Sequence, residues 1–196
     1  MVAIVSLVIS ALSLVFSFYN FHENKKTKIN ELAKGLFSTL QYLSPKDFEE
    51  YKKIHFDVEK QRSYSVPLGV KLINNSNESY TDIFIIAVED FKFTYNSITD
   101  VQSSITNGYY SYIEKMAESE LTFIIPSGGG GMNKQSNVLL IYTDSENRKW
   151  VKLPNNKFYK VGDYMQKLFD MGVPNPGYRN RQILKLSNER DRKSVV

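Results

Sequence analysis

Cysteine is absent from the 196 residues. That absence excludes a disulfide framework, a thiolate metal site, a cysteine nucleophile and a lipidated N-terminal cysteine. Histidine is nearly absent, with only His22 and His55. His55 falls in a stretch that reads as a strand, without a second histidine or a spaced carboxylate pair nearby, so neither a metal set nor a catalytic dyad is visible locally. No G-x-S-x-G, H-E-x-x-H or S-x-x-K pattern occurs, which leaves hydrolytic chemistry without local support. No catalytic residue, metal or cofactor is therefore expected, and the chain reads as a non-enzyme. Charge of one sign is also scarce. Twenty-five Lys and Arg against 21 Asp and Glu leave +4, too small an excess to argue for nucleic acid as a partner.

Charge, proline and glycine are all missing from residues 1–19, which contain only Met, Val, Ala, Ile, Leu, Phe, Ser and Tyr. As a helix this stretch is roughly 28 Å long, about the thickness of a bilayer's hydrocarbon core. A cleaved signal peptide needs a basic residue before the apolar run and small residues after it. Here no basic residue precedes the run, and Phe16, Phe18, Tyr19 and Phe21 fill the place of the small ones. A retained single-pass anchor is expected, with Tyr19 in the interfacial aromatic belt. Ser6, Ser10, Ser13 and Ser17 recur about once per helical turn and read as hydroxyls tolerated in lipid. Lys25, Lys26, Lys28 and Lys34 follow the run, so the positive-inside rule places the soluble domain in the cytoplasm, an extracytoplasmic domain being the alternative.

The rest divides into a juxtamembrane helical linker (21–52), a β-sandwich domain (53–161) and a short helix with a basic C-terminal tail (162–196), after an anchor at 1–20. Ile29, Leu32, Ala33, Leu36, Phe37, Leu40 and Leu43 recur at helical spacing and predict an amphipathic helix ending before Pro45. Its seam of Ile29, Ala33, Leu36, Leu40 and Leu43 reads as a docking stripe, being too short for a coiled coil. Residues 44–47 carry an N-cap, a first-turn proline and an acid, and open a helix to about Lys52. Alternation then predicts strands at 54–58, 66–72, 80–88, 91–95, 121–125, 138–143, 148–153 and 158–161. The stretch 80–88, apolar on both faces, suits a sandwich centre. Residues 144–147 (DSEN) read as a hairpin turn, and 96–119 as a polar stretch with a possible helical turn. Seven to eight short strands over this length favour an antiparallel sandwich.

Residues 70–86 (VKLINNSNESYTDIFII), 125–131 (IPSGGGG) and 138–150 (VLLIYTDSENRKW) carry a resemblance. Over about 54–161 the chain resembles a loose group of bacterial proteins in which one N-terminal transmembrane helix precedes an immunoglobulin-like sandwich. The resemblance implies that fold and no activity. The sequence departs from the group in the insertion near 96–119 and in its four-glycine loop.

The candidate sites are few. Gly128–Gly131 resembles a phosphate cradle, but a P-loop needs Gly-Lys-Ser/Thr opening a helix, and here the glycines lead to a strand. Tyr109, Tyr110 and Tyr112, among Ser103, Ser104, Asn107, Gly108 and Ser111, have the composition of a recognition loop and are the candidate protein-binding residues; the other reading has them covering their own core. Lys25, Lys26, Lys28, Arg179 and Arg181 are the candidate lipid-headgroup residues. Trp150 reads as core. The expected function is that of a membrane-anchored sandwich binding a protein partner through loops. The alternatives are an envelope-active enzyme using scattered carboxylates such as Asp82, Glu89 and Asp90, and a structural spacer that oligomerises in the membrane.

Overall fold

A computed structural model describes residues 2–55, 66–89, 93–128, 136–173 and 184–185, excluding the side chains of 2–5, 7, 8, 50, 52–55 and 184–185. A 34-residue helix, α1 (Val2–Gly35), leads directly into strand β1 (Leu36–Gln41). The uncharged stretch expected as an anchor is its first half. Among the described residues no helix is long and apolar enough to cross a membrane. Most of the first two turns of α1 lie outside the side chains described.

The amphipathic helix predicted through Leu43 ends at Gly35. Leu36, Phe37 and Leu40 belong to β1, which runs antiparallel to β2 (Val66–Asn74) from Leu36 opposite Asn74 to Gln41 opposite Gly69. A spacing of four satisfies both one helical turn and two strand repeats, so Leu36 and Leu40 fitted either period. Sheet pairing and the burial of Leu36 decide it. The five-residue seam therefore does not exist as a helical face.

The capping sequence at 44–47 behaves as predicted. The Ser44 amide donates to the Asp47 carboxylate at 3.0 Å and the Asp47 amide donates to Ser44 Oγ at 3.3 Å, opening α2 (Pro45–His55). The strand expected at 54–58 is corrected, since Ile54 and His55 close α2 and 56–58 lie outside the described residues. Phe93 and Tyr95 are likewise not in a strand, and Phe91 lies outside the description.

Two antiparallel sheets form the sandwich. One has the order β1-β2-β5-β9, with β5 at Glu120–Ser127 and a two-residue β9 at Leu184–Lys185. The other has the order β4-β3-β6-β7-β8, built from β3 (Tyr80–Val88), β4 (Tyr110–Met116), β6 (Asn137–Thr143), β7 (Lys149–Lys152) and β8 (Phe158–Val161). Between the sheets lie Val70, Leu72, Phe123 and Ile125 from one side and Ile83, Ile85, Leu140 and Tyr142 from the other, with Trp150 in this core as expected.

The second sheet is apolar on its other face too. Phe84, Ile86, Leu139, Ile141 and Val151 pack there against Ile98 and Val101 of a 3₁₀ turn (Ile98–Val101), Ile105 of α3 (Gln102–Thr106), and Leu168 of α4 (Met165–Asp170). This third, helical layer explains why β3 is apolar on both faces. The 3₁₀ turn and α3 of this layer, and β4 as well, come from 96–119, the stretch without a clear pattern.

Within β3, Asp82 has a left-handed φ of 50°. The register against β6 jumps from Thr81 opposite Thr143 to Phe84 opposite Ile141, so β3 carries one extra residue, a β-bulge. The bulge turns Tyr80 and Ile83, an odd number apart, toward the same core.

Candidate functional site

The junction of α1 with the sandwich is the most elaborate polar construction in the described chain. The last turn of a helix leaves its carbonyls without intrahelical partners. Here the second sheet supplies them: Tyr80 Oη donates to the Leu32 carbonyl at 2.9 Å, Tyr142 Oη donates to that of Ala33, and Lys152 Nζ donates to those of Lys34 at 3.2 Å and Leu36, the first residue of β1, at 2.9 Å. Leu32, Ala33 and Leu36 are buried beside them. Lys152, 7 % exposed, puts its ammonium at the negative end of the helix dipole. Burial first, and Lys34 second, push its pKa down to about 8. Burial pushes the Tyr142 phenol well up, with the neighbouring Tyr80 and Asp144 adding to it. Gly35 is required by this closeness, because a Cβ there would stand 2.3 Å from Tyr80 Oη and 3.0 Å from Ser76 Cβ.

The direction of α1 follows from its contacts. Read backwards from Leu36 to Lys28, they move from Lys152 on β7, to Tyr142 on β6, to Glu146 in the β6–β7 turn, where Lys28 Nζ lies 3.2 Å from the carboxylate. The helix thus lies along this hairpin and leaves the domain past its tip. The tip is held by Asp144, 3 % exposed, whose carboxylate accepts from Trp150 Nε1, Arg148 Nε and the amides of Glu146 and Arg148 at 2.8–2.9 Å. Burial alone would raise the Asp144 pKa, but these donors outweigh it and hold the carboxyl below its ordinary value. Asn147 completes the turn at a φ of 59°.

Beyond the tip, α1 exposes large apolar residues on all sides: Leu12, Leu14, Val15, Phe16, Phe18, Tyr19 and Phe21 are each more than 60 % exposed. Ser10 Oγ donates to the Ser6 carbonyl at 2.9 Å, so this hydroxyl of the serine stripe is satisfied within its own helix. Lys25, Lys26 and Lys28 are exposed below the domain, with Lys26 3.2 Å from Glu23. Arg179 and Arg181 lie outside the described residues.

The three tyrosines expected in a recognition loop occupy different places. Tyr110 and Tyr112 belong to β4. Tyr110 is buried and packs near Phe84, while Tyr112 Oη donates to the Asp82 carboxylate at 2.8 Å. These two rings belong to the domain's own construction. Tyr109 precedes β4, partly buried, with its ring 3.1 Å from where a Gly128 Cβ would stand. It marks the end of the sandwich opposite the hairpin tip, since Ile86, Tyr110 and Leu139 are paired there. Gly129–Gly131 lie outside the description. Of the carboxylates in the enzymatic alternative, Asp82 is engaged with Tyr112, Glu89 ends the segment after β3, and Asp90 is not described. Among the described residues no three His, Asp or Glu side chains gather to hold a metal.

One concavity went unread in the sequence, a cleft of about 360 Å³ between the 95–98 segment and the β8–α4 connection. Tyr95 and Tyr159 stack at its side with centroids 6.3 Å apart and planes 26° apart. Tyr164 forms part of its lining, its hydroxyl donating to the Asp82 carbonyl at 2.7 Å and bonded to Thr143 at 2.8 Å. Lys160 and Lys167 line it, as does Asp163, whose carboxylate pairs with Lys149 at 3.0 Å and is held below its ordinary pKa by that ammonium. Asp100 nearby is likewise held low by the Asn96 and Ser97 amides. The contributing residues are distant in sequence and none is unusual by itself, so no local pattern pointed to the cleft.

No family model, no curated protein and no solved structure matches this chain.

Proposed function

We propose that the chain is a single-pass membrane protein whose α1 seats its first half in a bilayer and holds the sandwich on the membrane as a rigid, non-catalytic binding module. The observation that carries this is the exposed apolar surface of α1 up to Phe21, on one continuous helix whose other end is fixed by Tyr80, Tyr142 and Lys152. Large apolar side chains on every side of a projecting helix are unfavourable in water and favourable in hydrocarbon. The immunoglobulin-like reading of the sandwich, and its kinship with single-helix bacterial proteins, belong to the same proposal.

A protein partner is then met at the end away from the hairpin tip, by the loops around Tyr109. The lysines after the apolar stretch support a cytoplasmic domain and contact with anionic headgroups through Lys25, Lys26, Lys28, Arg179 and Arg181. Fusing alkaline phosphatase, and separately a fluorescent protein, to the C-terminus tests location and facing together. Fluorescence without phosphatase activity, all in the membrane fraction, is the expected result. Phosphatase activity would reverse the facing, and fluorescence in the soluble fraction would contradict the anchor.

A further inference from the structure

We infer that the outer edge of β1 takes an extended segment of a protein partner as an added antiparallel strand, with a small apolar side chain in the groove beside Leu40 and an acidic one at Lys34 and Lys152. The inference rests on the binding-module reading above and gives that partner a conformation and a chemistry. Among the described residues β1 pairs only with β2. The amides of Asn74 and Asn75 donate to the carbonyls of Ser119 and Gly35, and alternation along an antiparallel ladder then assigns Phe37, Thr39 and Gln41 to β2. Leu36, Ser38 and Leu40 turn their N–H and C=O groups outward. Lys152 meets the Leu36 carbonyl, while the amides and carbonyls of Ser38 and Leu40 have no partner among the described residues. Past Gln41 the chain departs over the sheet's outer face, where a Cβ at Gly69 would stand 2.9 Å from Leu43 Cδ2, and so leaves the edge open.

Edge strands are ordinarily guarded by charge, proline or a bulge. Here β4 carries Glu114 and Lys115, β8 Lys160 and β9 Lys185, whereas β1 (LFSTLQ) has neither charge nor proline, and its register is unbroken. Its inward face is unfinished too. Leu36 is buried in the core, but Leu40, on the same face, is 46 % exposed beside a cavity of about 50 Å³ lined by Ser38, Val138, Leu140 and Lys152. At about 10–15 Å³ per water-sized group, this space takes roughly three or four heavy atoms, the size of a valine side chain. The end of the groove nearer α1 is positive. Lys152 donates through two of its three N–H groups to the Lys34 and Leu36 carbonyls. Lys34 stands near enough to help lower its pKa, and neither ammonium has a carboxylate partner among the described residues. A carboxylate opposite Leu36 answers both. Main-chain pairing at such an edge supplies affinity, and the groove selects the side chains.

The test uses the full chain in phosphatidylcholine nanodiscs and a fluorescein-labelled heptapeptide, Thr-Val-Thr-Val-Thr-Asp-Thr, read by fluorescence anisotropy. Antiparallel to β1, its valines fall opposite Leu40 and Ser38 and its aspartate opposite Leu36. Binding is expected to weaken roughly tenfold in Ser38→Pro, which removes an outward amide and keeps the pairing with β2, and in Leu40→Lys, and to be unchanged in Tyr109→Ser. N-methylation of the second valine should weaken it similarly, and N-methylation of the threonine between the valines should not, because only the valine amides face β1. Lysine in place of the aspartate should weaken it as well. No binding by wild type, or equal binding by Ser38→Pro and Leu40→Lys, would refute the edge and leave the anchor standing. Loss in Tyr109→Ser with Ser38→Pro unaffected would move the partner to the loops. Two chains per disc in wild type and one in Ser38→Pro would reassign the edge to a second copy. Failure of the chain to enter discs would refute the anchor, with the same peptides then deciding the edge on the free chain.

Discussion

Lys152 concentrates the physics of the joint in one side chain. A base whose folded pKa is depressed binds fewer protons folded than unfolded between the two values, so stability rises with pH across that interval. For Lys152 the interval opens at about 8 and closes near the ordinary lysine value of about 10.4. Tyr142 and Tyr164 oppose it, because burial, the first cause for each, raises their folded pKa. Their contribution is present below about pH 10, the unfolded value, and is lost as pH rises beyond it. The urea midpoint should therefore climb from about pH 8 to 9.5 and then fall, with the climb absent in Lys152→Met. Gly35→Ala forces Tyr80 off the Leu32 carbonyl, and Tyr80→Phe removes the same bond; each should cost about 1–3 kcal/mol in denaturant unfolding. In the sequence Gly35 falls inside the helix predicted to end before Pro45, with nothing local to mark it. Its true constraint is a tyrosine from a strand more than forty residues away, which no local pattern reveals.

At the level of elements, the β6–β7 hairpin was readable because its turn, DSEN, sits between two apolar alternating runs, and every donor to Asp144 lies within six residues of it. Asp144→Ala should destabilise the domain by about 3–5 kcal/mol, since Trp150 Nε1 and the amides of Glu146 and Arg148 would lose their acceptor and Arg148, 12 % exposed, would keep only Glu146 at 3.0 Å. Arg148 Nη2 already has no hydrogen-bond partner among the described residues. The depressed Asp144 pKa adds a sign: its stabilisation is full above the unfolded value of about 3.9 and disappears as pH falls through the folded one. Urea midpoints of wild type and Asp144→Ala should accordingly converge in acid. By contrast, β1 and β4 were misread for physical reasons. β1 carries a period shared by helix and strand, and β4 is a tyrosine-rich edge strand whose Tyr110 and Tyr112 face the helical layer. Composition there suggested a loop because polar residues alternate with rings, yet Ser111 and Ile113, which alternate with the rings, are buried too, Ile113 in the core between the sheets.

Over the whole molecule, the architecture is two sheets and a thin helical layer suspended from a helix whose end is gripped by Tyr80, Tyr142 and Lys152 of one sheet and continues at Leu36 into the other. The two-sheet core was legible, since six of the predicted strands fall where strands are, and alternation is a property of each strand alone. The cleft and the joint were not, because they depend on which strands become neighbours. Their consequence is orientation: a domain held by three side-chain donors cannot swing freely on its stalk, so one end is committed to the surface from which α1 emerges and the other to whatever approaches from solution.

The most direct test of this account is the depth of α1. Spin labels placed singly at Ile9, Leu14 and Glu146 of the full chain in bilayers are read by relaxation with oxygen, which enters hydrocarbon, and with a water-soluble nickel chelate, which does not. The account predicts strong oxygen and weak nickel relaxation at Ile9 and Leu14, with the reverse at Glu146 just above the headgroups. Nickel access at Ile9 and Leu14 equal to that at Glu146 would place α1 in water and contradict it.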